Sequence, residues 1–347
     1  MRLYTKEGWL DIPHIAEICD KNNINFVIII GKRQVGKTYG VLKYMLDEKK
    51  GFIFLRTNKS EYDVIKSGYN SPFDKIDEYK GRIVFKSEGE YSSEIIRLDN
   101  IGDEEIKTPV GKFAALTTFG HIRGINGDDY TDVVHDEFIP EEHMLRVKGA
   151  GSALLNLHDS VNGNRELEGR PCLRVWLLAN SNDLCNSVLE ALNLIKVVER
   201  MTLRGEEYHM DKKRGFLVLL PDSSVIVSQR AKGGLYKMIG TDNDYARMAL
   251  GNEFSKNDFS DVRNMPLLEY NPFITVGKIT IHMHKWNKTL YITEKVKAQA
   301  KHNFTSAESD LRRLNRQFGD LRPCYMSGRA VFQTMQVKSY FTQIIGL

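Results

Sequence analysis

The sequence predicts an α/β protein with a largely parallel β-sheet in its N-terminal part. Strand-like and helix-like segments alternate over residues 1–200, as in sheets whose parallel strands are joined by crossover helices. Residues 25–30 form a run that is apolar and largely β-branched after Asn25, which is typical of a strand buried on both faces. A glycine-rich turn and a helix that extends to Leu46 follow this strand directly.

The hydrophobic pattern predicts further elements before residue 200. Residues 10–23 carry apolar side chains at helical spacing, and so do residues 152–161. Strands are predicted at 52–56, 82–85, 94–98, 112–118, 132–135 and 173–179. Residues 1–200 are therefore predicted to form one domain.

The pattern changes after residue 196. Residues 200–215 are strongly charged, and the two runs that follow, 216–220 and 224–228, predict a hairpin around Pro221 and Asp222. The remaining predicted elements are a polar helical region at 231–254, strands at 273–276, 279–284 and 289–293, and helices at 293–301 and 306–318. This pattern predicts a connecting segment at 201–258 and a second α/β domain at 259–347.

Composition and charge restrict the class of protein. A chain of 347 residues with 41% apolar and 27% charged residues can form two domains with real cores, which excludes disordered and collagen-like classes. Residues 1–200 carry 27 basic and 31 acidic groups, whereas residues 201–347 carry 22 basic and 14 acidic groups. The C-terminal part is therefore expected to face an anionic partner.

The longest apolar run is too short to span a membrane. The four scattered cysteines predict reduced thiols in a cytosolic protein rather than a zinc site.

A complete phosphate-binding motif follows the first strand. The pattern G-x-x-x-x-G-K-[ST] is matched by Gly31, Lys32, Arg33, Gln34, Val35, Gly36, Lys37 and Thr38. The glycines allow backbone N–H groups to surround phosphates, and the helix N-terminus adds the positive end of its dipole. Lys37 is expected to reach the β- and γ-phosphates, and Thr38 is expected to bind Mg²⁺. The motif therefore predicts that the protein binds ATP and Mg²⁺.

An acidic pair ends another apolar strand within residues 131–138. Asp136 is expected to hold Mg²⁺, and Glu137 is expected to orient or deprotonate the attacking water. A water-activating carboxylate would be counterproductive in a small-molecule kinase, so this pair predicts ATP hydrolysis. Asn180 ends the strand at 173–179 and is a candidate sensor of the γ-phosphate, although an Asx turn explains it equally well.

Several arginines are candidates for stabilising the charge of the transferred phosphoryl group. Arg33 lies inside the phosphate loop and would act in cis. Arg123 lies on a glycine-rich loop and Arg165 follows the helix at 152–161, and either could act on a neighbouring subunit, although a solvated charge is the plain alternative for each. Arg56 ends the second strand and is a candidate switch residue that could pair with Glu137.

These motifs resemble those of large terminase subunits. Residues 33–38 have the RQxGKT form of that family's phosphate loop, and an Arg-Gly loop precedes the strand that ends in Asp-Glu. Residues 153–157, Asp159 and the Leu-Ala-Asn-Ser strand end at 178–181 are similar to the compact DNA-packaging ATPases of phi29-like tailed phages. The resemblance covers most of the chain but becomes loose after residue 200.

The resemblance implies a homopentameric ring ATPase that pumps double-stranded DNA into a procapsid. The implied partners are DNA, other copies of the chain and the phage portal or connector, with a packaging RNA left open. The implied location is the host cytoplasm, transiently at the portal vertex, with no membrane. The family has a further arginine where Gly163 stands, which leaves the choice between Arg123 and Arg165 open, with Arg123 ahead.

The resemblance also implies a fold for each part of the chain. The N-terminal domain would be a RecA-like P-loop domain of the additional-strand, catalytic-glutamate class. A small linker domain would follow, and the C-terminal domain would have an RNase H-like α/β fold.

The C-terminal domain lacks the acidic residues of a nuclease. A two-metal nuclease site needs a cluster of carboxylates, but the strands at 273–276 and 279–284 contain no Asp or Glu. Glu294, Glu308 and Asp310 are the later candidates. We therefore predict a vestigial domain without nuclease activity, which retains these basic residues for phosphate contacts with DNA or RNA: Lys285, Lys288, Lys295, Lys297, Lys301, Arg312, Arg313, Arg316, Arg322 and Arg329.

Other classes of protein remain as alternatives. One is a terminase large subunit with an active nuclease, and another is a P-loop helicase or translocase. A non-enzymatic ring protein would not need the intact set formed by the phosphate loop and the acidic pair.

Overall fold

The computed structural model describes most of the chain. The described residues are 1–31, 35–101, 104–122, 127–140, 147, 149–180, 183–222, 228, 231–240, 246, 259–295 and 300–347. The chain divides into two compact units, the first formed by Met1–Leu192 and Arg200–Ser255 and the second by Asn193–Glu199 and Lys256–Leu347. None of the helices among the described residues combines the length and apolarity required to span a bilayer.

In the described part of the first unit, nine strands form one sheet. They are β1 (Phe26–Ile30), β2 (Phe52–Arg56), β3 (Ile83–Ser87), β4 (Ser92–Ile101), β5 (Glu104–Ala115), β6 (Asp132–Asp136), β7 (Arg174–Ala179), β8 (Tyr208–Asp211) and β9 (Phe216–Leu219). Their order is β3-β4-β5-β2-β6-β7-β1-β9-β8. The six strands from β5 to β9 in that order are parallel, and antiparallel strands extend both sides. The carboxyl ends of the parallel strands therefore meet at one edge of the sheet.

Helices lie before, between and after these strands in the sequence, and residues 195–199 of one of them belong to the second unit. The helices are α1 (Ile12–Lys21), α2 (Lys37–Asp47), α3 (Lys59–Lys66), α4 (Ala150–Asn162), α5 (Ser187–Ala191), α6 (Ile195–Arg204) and α7 (Gly234–Ile239). The last four residues of β1 are completely buried, as expected of a central strand with helices on both faces. Trp176 on β7 is buried as well, and its indole N–H donates to Asp132 at 2.9 Å.

The second unit has a mixed sheet of five strands among its described residues. They are β10 (Tyr270–Val276), β11 (Ile279–His284), β12 (Leu290–Glu294), β13 (His302–Phe304) and β14 (Ala330–Phe332), in the order β13-β10-β11-β12-β14. The first three strands form an antiparallel meander, while β13 is parallel to β10 and β14 is parallel to β12. The accompanying helices are α8 (Glu308–Gln317), α9 (Leu321–Met326) and α10 (Met335–Ile344).

The predicted α/β class is confirmed, but the region after residue 200 differs from the prediction. The strand β9 pairs with β8, which precedes it, and through β1 both join the first sheet. Residues 208–219 therefore belong to the first sheet and not to a linker domain at 201–258. The sequence pattern did not predict β8, because this edge strand is partly exposed and its polar residues resemble those of a charged loop. The predicted second hairpin strand at 224–228 falls mostly outside the described residues.

The predicted helix at 293–301 is also wrong at its ends. Residues 293 and 294 lie in β12, and residues 302–304 form β13, which begins one residue after the predicted helix. Residues 296–299 lie outside the described part of the chain. The helix predicted at 306–318 is present as α8.

Candidate active site

The candidate site lies where β1, β2, β6 and β7 end. The strand β7 lies between β1 and β6, so the residues that follow these three strands are neighbours. Ligands of open α/β sheets bind at the carboxyl ends of strands, where the order of strands reverses. The phosphate loop, the acidic pair and Asn180 all follow strands of this set.

The described part of the phosphate loop has the geometry of an anion-binding turn. Gly36 has a φ of 87°, in the left-handed region, and begins α2 without a side-chain cap on its first N–H groups. Gly31 has no space for a side chain, because an added Cβ would lie 2.9 Å from Pro221 Cγ. Lys32, Arg33 and Gln34 lie outside the described residues.

Lys37 connects two strand ends in this site. It is buried, with 7% of its surface exposed. Its Nζ donates to the carbonyl oxygen of Gly31 at 2.8 Å and to Oδ1 of Asn180 at 3.1 Å. The amide predicted as a sensor is thus within hydrogen-bond distance of the lysine predicted to bind phosphate.

Thr38 and Asp136 come together although they are far apart in the sequence. The Thr38 hydroxyl donates to Oδ1 of Asp136 at 2.7 Å. Burial raises the pKa of Asp136, while the Arg56 guanidinium and the Thr38 hydrogen bond oppose that rise. Hydroxyl and carboxylate oxygens are hard ligands of the kind that Mg²⁺ prefers, so this pair fits the metal.

Arg56 pairs with three carboxylates at the end of β2. Its guanidinium lies 2.7 Å from Asp136, 2.6 Å from Glu137 and 2.8 Å from Glu61. Burial alone would lower the pKa of Arg56, but the three carboxylates outweigh burial and raise it. Glu61 also caps α3, because its other carboxylate oxygen accepts from the backbone N–H of Asn58. The predicted pairing of Arg56 with Glu137 is present in this structure.

Glu137 has a strained backbone and a partly exposed carboxylate. Its φ is 54°, which is uncommon for a residue with a side chain. The side chain is 31% exposed. It lines a cavity of about 500 Å³ that extends from Thr38 and Arg56 toward α3. A water molecule and a phosphate group would have access to this carboxylate.

Two buried residues beside Glu137 were missed by the sequence analysis. The Nε2 atom of His135 lies 3.0 Å from the Thr57 hydroxyl, which lies 3.3 Å from the carbonyl oxygen of Glu137. Both side chains are almost completely buried. Burial and the Arg56 charge lower the pKa of His135 to about 3, so the ring is neutral at physiological pH. A histidine in an apolar strand signals a hydrogen-bond partner, but sequence does not identify that partner.

Arg165 lies away from the acidic pair of its own subunit. It is 5% exposed, and its guanidinium donates to the carbonyl oxygens of Gly127 and Tyr130. These residues precede β6, whereas Asp136 ends it, and the four residue steps from Asp132 to Asp136 span about 13 Å. The role predicted for Arg165 is on a neighbouring subunit, and that role stays a prediction. Arg123 lies outside the described residues.

Comparison with known proteins identifies similar folds and the family of this chain. The bacteriophage Phi-29 genome packaging motor assembly has a similar fold, with a TM-score of 0.65 and 17% identity over 99% of each chain. The Phi-28 gp11 DNA packaging motor has a TM-score of 0.61 and 14% identity, also over 99% of each chain. No curated protein sequence matches this chain. Residues 15–339 match the Podovirus DNA encapsidation protein (Gp16) family, and the chain therefore belongs to that family.

Proposed function

We propose that this site hydrolyses ATP and thereby drives double-stranded viral DNA into a procapsid. The observation that carries the proposal is the Thr38–Asp136 contact of 2.7 Å, with Lys37 and Glu137 at the same sheet edge. This convergence supplies phosphate binding, metal binding and water activation in one place. The protein would act as a homopentameric ring on the phage portal or connector, in the host cytoplasm, with a packaging RNA as an open further partner.

Each side chain of the site has a separate task in this proposal. Lys37 would bind the β- and γ-phosphates, and Thr38 and Asp136 would hold Mg²⁺, which would supply positive charge to offset that of the phosphates. Glu137 orients the attacking water and takes up its proton. Asn180, which contacts Lys37 in this structure, would report whether a γ-phosphate is present.

Arg56 would act as the switch that controls Glu137. In this structure the Arg56 guanidinium lies 2.6 Å from the Glu137 carboxylate. The carboxylate would have to leave this ion pair before it could activate a water molecule. Release of Glu137 leaves Arg56 paired with Asp136 and Glu61, which keeps the buried cation neutralised. We propose that engagement of DNA favours the released state.

Arg123 is the better candidate for an arginine that acts on the neighbouring subunit. Arg165 is buried and bonded to two backbone carbonyls, which it would have to leave. Arg33 remains the candidate for a role in cis. Mixed rings test the assignment, because Arg123→Ala subunits should regain turnover beside neighbours that supply the arginine. Failure of every mixing ratio would indicate a role within the same subunit.

The second unit would be a nuclease-like domain that has lost catalysis. Glu294 pairs with Lys196 at 2.5 Å, and Glu308 pairs with Arg312 on the same helix face. Asp310 accepts from the backbone N–H and hydroxyl of Thr305, both at 2.8 Å. Because each carboxylate already has a local partner, we propose that this unit binds nucleic-acid phosphates through its basic residues. Cleavage of duplex DNA with Mg²⁺ or Mn²⁺ that Glu294→Ala abolishes would contradict this assignment.

The decisive experiment measures DNA-stimulated ATPase activity with and without procapsids. Glu137→Gln should retain ATP binding while hydrolysis falls by about 10²- to 10⁴-fold and packaging stops. Glu294→Gln is the matched control, because it makes the same change in the second unit and should leave hydrolysis unchanged. Wild-type turnover in Glu137→Gln would refute the role of Glu137.

A further inference from the structure

We propose that Thr57 is a positioning residue that fixes the backbone of Glu137 and so aims the catalytic carboxylate. The inference rests on the proposed function of Glu137 as the water-activating base. Its basis is the contact of 3.3 Å between the Thr57 hydroxyl and the carbonyl oxygen of Glu137, and the φ of 54° that Glu137 itself adopts. A left-handed conformation of a residue with a side chain persists only where its surroundings hold it.

The hydrogen-bond donors and acceptors around Thr57 have one consistent arrangement. The Glu137 carbonyl can only accept, so the hydroxyl proton of Thr57 points to it. The Thr57 oxygen then accepts from the Nε2–H of His135, 3.0 Å away. The Nδ1 atom of His135 has no hydrogen-bond partner among the described residues. In this tautomer that atom is an acceptor, which is less costly to bury unpaired than an N–H donor would be.

The peptide around Glu137 is held from both neighbouring strands. On one side, the hydroxyl of Thr57, the residue that follows β2, donates to the Glu137 carbonyl oxygen. On the other side, the backbone N–H of Phe138 donates to the Leu178 carbonyl of β7 at 3.1 Å. Phe138 is itself buried. The left-handed residue is therefore fixed at its carbonyl oxygen and at the following N–H group.

Adjacent residues at the end of β2 thus hold different parts of Glu137. Arg56 holds the carboxylate, and Thr57 holds the backbone. When Arg56 releases the carboxylate, the backbone contact remains. The side chain then rotates from a fixed backbone position, which restricts the positions that the carboxylate can reach beside Thr38 and Asp136. Small displacements of a catalytic group have large effects on rate, and this is the reason to expect a kinetic consequence.

The test replaces the Thr57 hydroxyl in the full-length protein. Thr57→Val keeps the shape of the side chain and removes its hydrogen bonds, and we expect kcat to fall by about 10-fold or more while the Kd for Mg-ATP is unchanged. Thr57→Ser retains the hydroxyl and should recover most of the lost kcat. Equal kcat losses in the two variants, or a parallel loss of Mg-ATP affinity, would mean that Thr57 has only a structural role.

The second unit supplies a matched control for these variants. There the Nε2 atom of His282 lies 3.0 Å from the Thr293 hydroxyl, which donates to the carbonyl oxygen of Glu294 at 2.8 Å. Thr293→Val removes the corresponding buried hydrogen bonds in the second unit. We expect no change in kcat for Thr293→Val, and a loss equal to that of Thr57→Val would overturn the proposal.

Single and double variants distinguish a failure of the positioning role of Thr57 from a failure of the proposed role of Glu137. If Glu137→Gln turns over ATP like the wild type, the proposed role of Glu137 fails. If Glu137→Gln is inactive but Thr57→Val has the wild-type kcat, only the positioning role fails. We expect Thr57→Val to cause no further loss of kcat in the Glu137→Gln background, because both changes disable the same group.

A pair of variants at His135 covers the case in which Thr57→Val does not fold. His135→Gln retains an N–H donor toward Thr57, whereas His135→Met retains only the bulk of the side chain. The positioning role predicts a clearly lower kcat for His135→Met than for His135→Gln. Equal values of kcat would contradict it.

Discussion

Each of the two units contains a buried histidine and threonine beside the backbone of a partly exposed glutamate, in different surroundings. In each unit a histidine Nε2 contacts a threonine hydroxyl that in turn lies near the carbonyl oxygen of a glutamate. In the second unit, Thr293 and Glu294 are consecutive residues of β12, and Glu294 is 49% exposed beside Lys196. In the first unit the arrangement joins the ends of two parallel strands.

The direction of the strands decides whether such a hydrogen-bonded arrangement lies beside other functional side chains. Parallel strands bring the residues after β1, β2, β6 and β7 to one edge, where a cation, a hydroxyl and several carboxylates meet. The antiparallel meander of the second unit sends the ends of neighbouring strands to opposite edges. Its carboxylates then form separate local pairs. Four predictions test this contrast.

The largest expected effect comes from Asp136, the carboxylate that we propose to bind Mg²⁺. Asp136→Asn removes one negative charge from the Thr38 contact, and we expect kcat to fall on the order of 100-fold, with partial recovery at high Mg²⁺. Asp310→Asn makes the same change in the second unit and should not alter the Mg²⁺ dependence of kcat. A Mg²⁺ titration of ATPase activity measures both variants, and identical titration curves would show that the two carboxylates do not differ.

The next effect concerns the free energy of unfolding. Arg56→Met leaves the carboxylates of Asp136, Glu137 and Glu61 without their shared cation, and losing one partner of a buried ion pair costs about 3–5 kcal/mol. Lys196→Met breaks the half-exposed pair with Glu294, which should cost about 0–1 kcal/mol. Denaturant unfolding of both variants measures the difference. Similar losses would mean that Arg56 is no more buried in solution than Lys196.

Arg165 should have a smaller, purely structural effect. Arg165→Met removes the donors to the Gly127 and Tyr130 carbonyls, and we expect a loss of about 1–3 kcal/mol in the free energy of unfolding. In mixed rings, the variant should not impair hydrolysis by neighbouring wild-type subunits. Impaired hydrolysis in those neighbours would instead restore Arg165 as the arginine that acts between subunits.

The smallest expected effect is a pH dependence in the second unit. Burial lowers the pKa of His282 below its ordinary value of about 6.5, so the unfolded chain binds a proton more readily than the folded one. Stability from His282 is therefore complete above that ordinary value and decreases as the pH falls below it. His282→Gln cannot titrate and should flatten this dependence in hydrogen exchange of β11 and β12. An unchanged profile would exclude His282 as its source.

The sequence predicts well which residues meet at this edge of the sheet, because its motifs lie at the ends of strongly apolar strands. The phosphate loop and the acidic pair identify their own strands, and parallel pairing brings the strand ends together without further information. The contact between Thr57 and His135 joins residues 78 positions apart, and no local pattern connects them. The edge strand β8 was missed because its exposed polar residues lack the apolar signal of the central strands.

The contact between Gly31 and Pro221 has a consequence for how the chain leaves the first sheet. Pro221 follows β9, and an added Cβ on Gly31 would lie within 3.0 Å of two of its ring atoms. The polypeptide thus departs from the sheet directly beside the start of the phosphate loop, 190 residues earlier in the sequence. A shift of the loop on nucleotide exchange would press on this exit point without any intervening element. A movement of the phosphate loop would therefore reach Pro221, and the chain that follows it, through direct van der Waals contact.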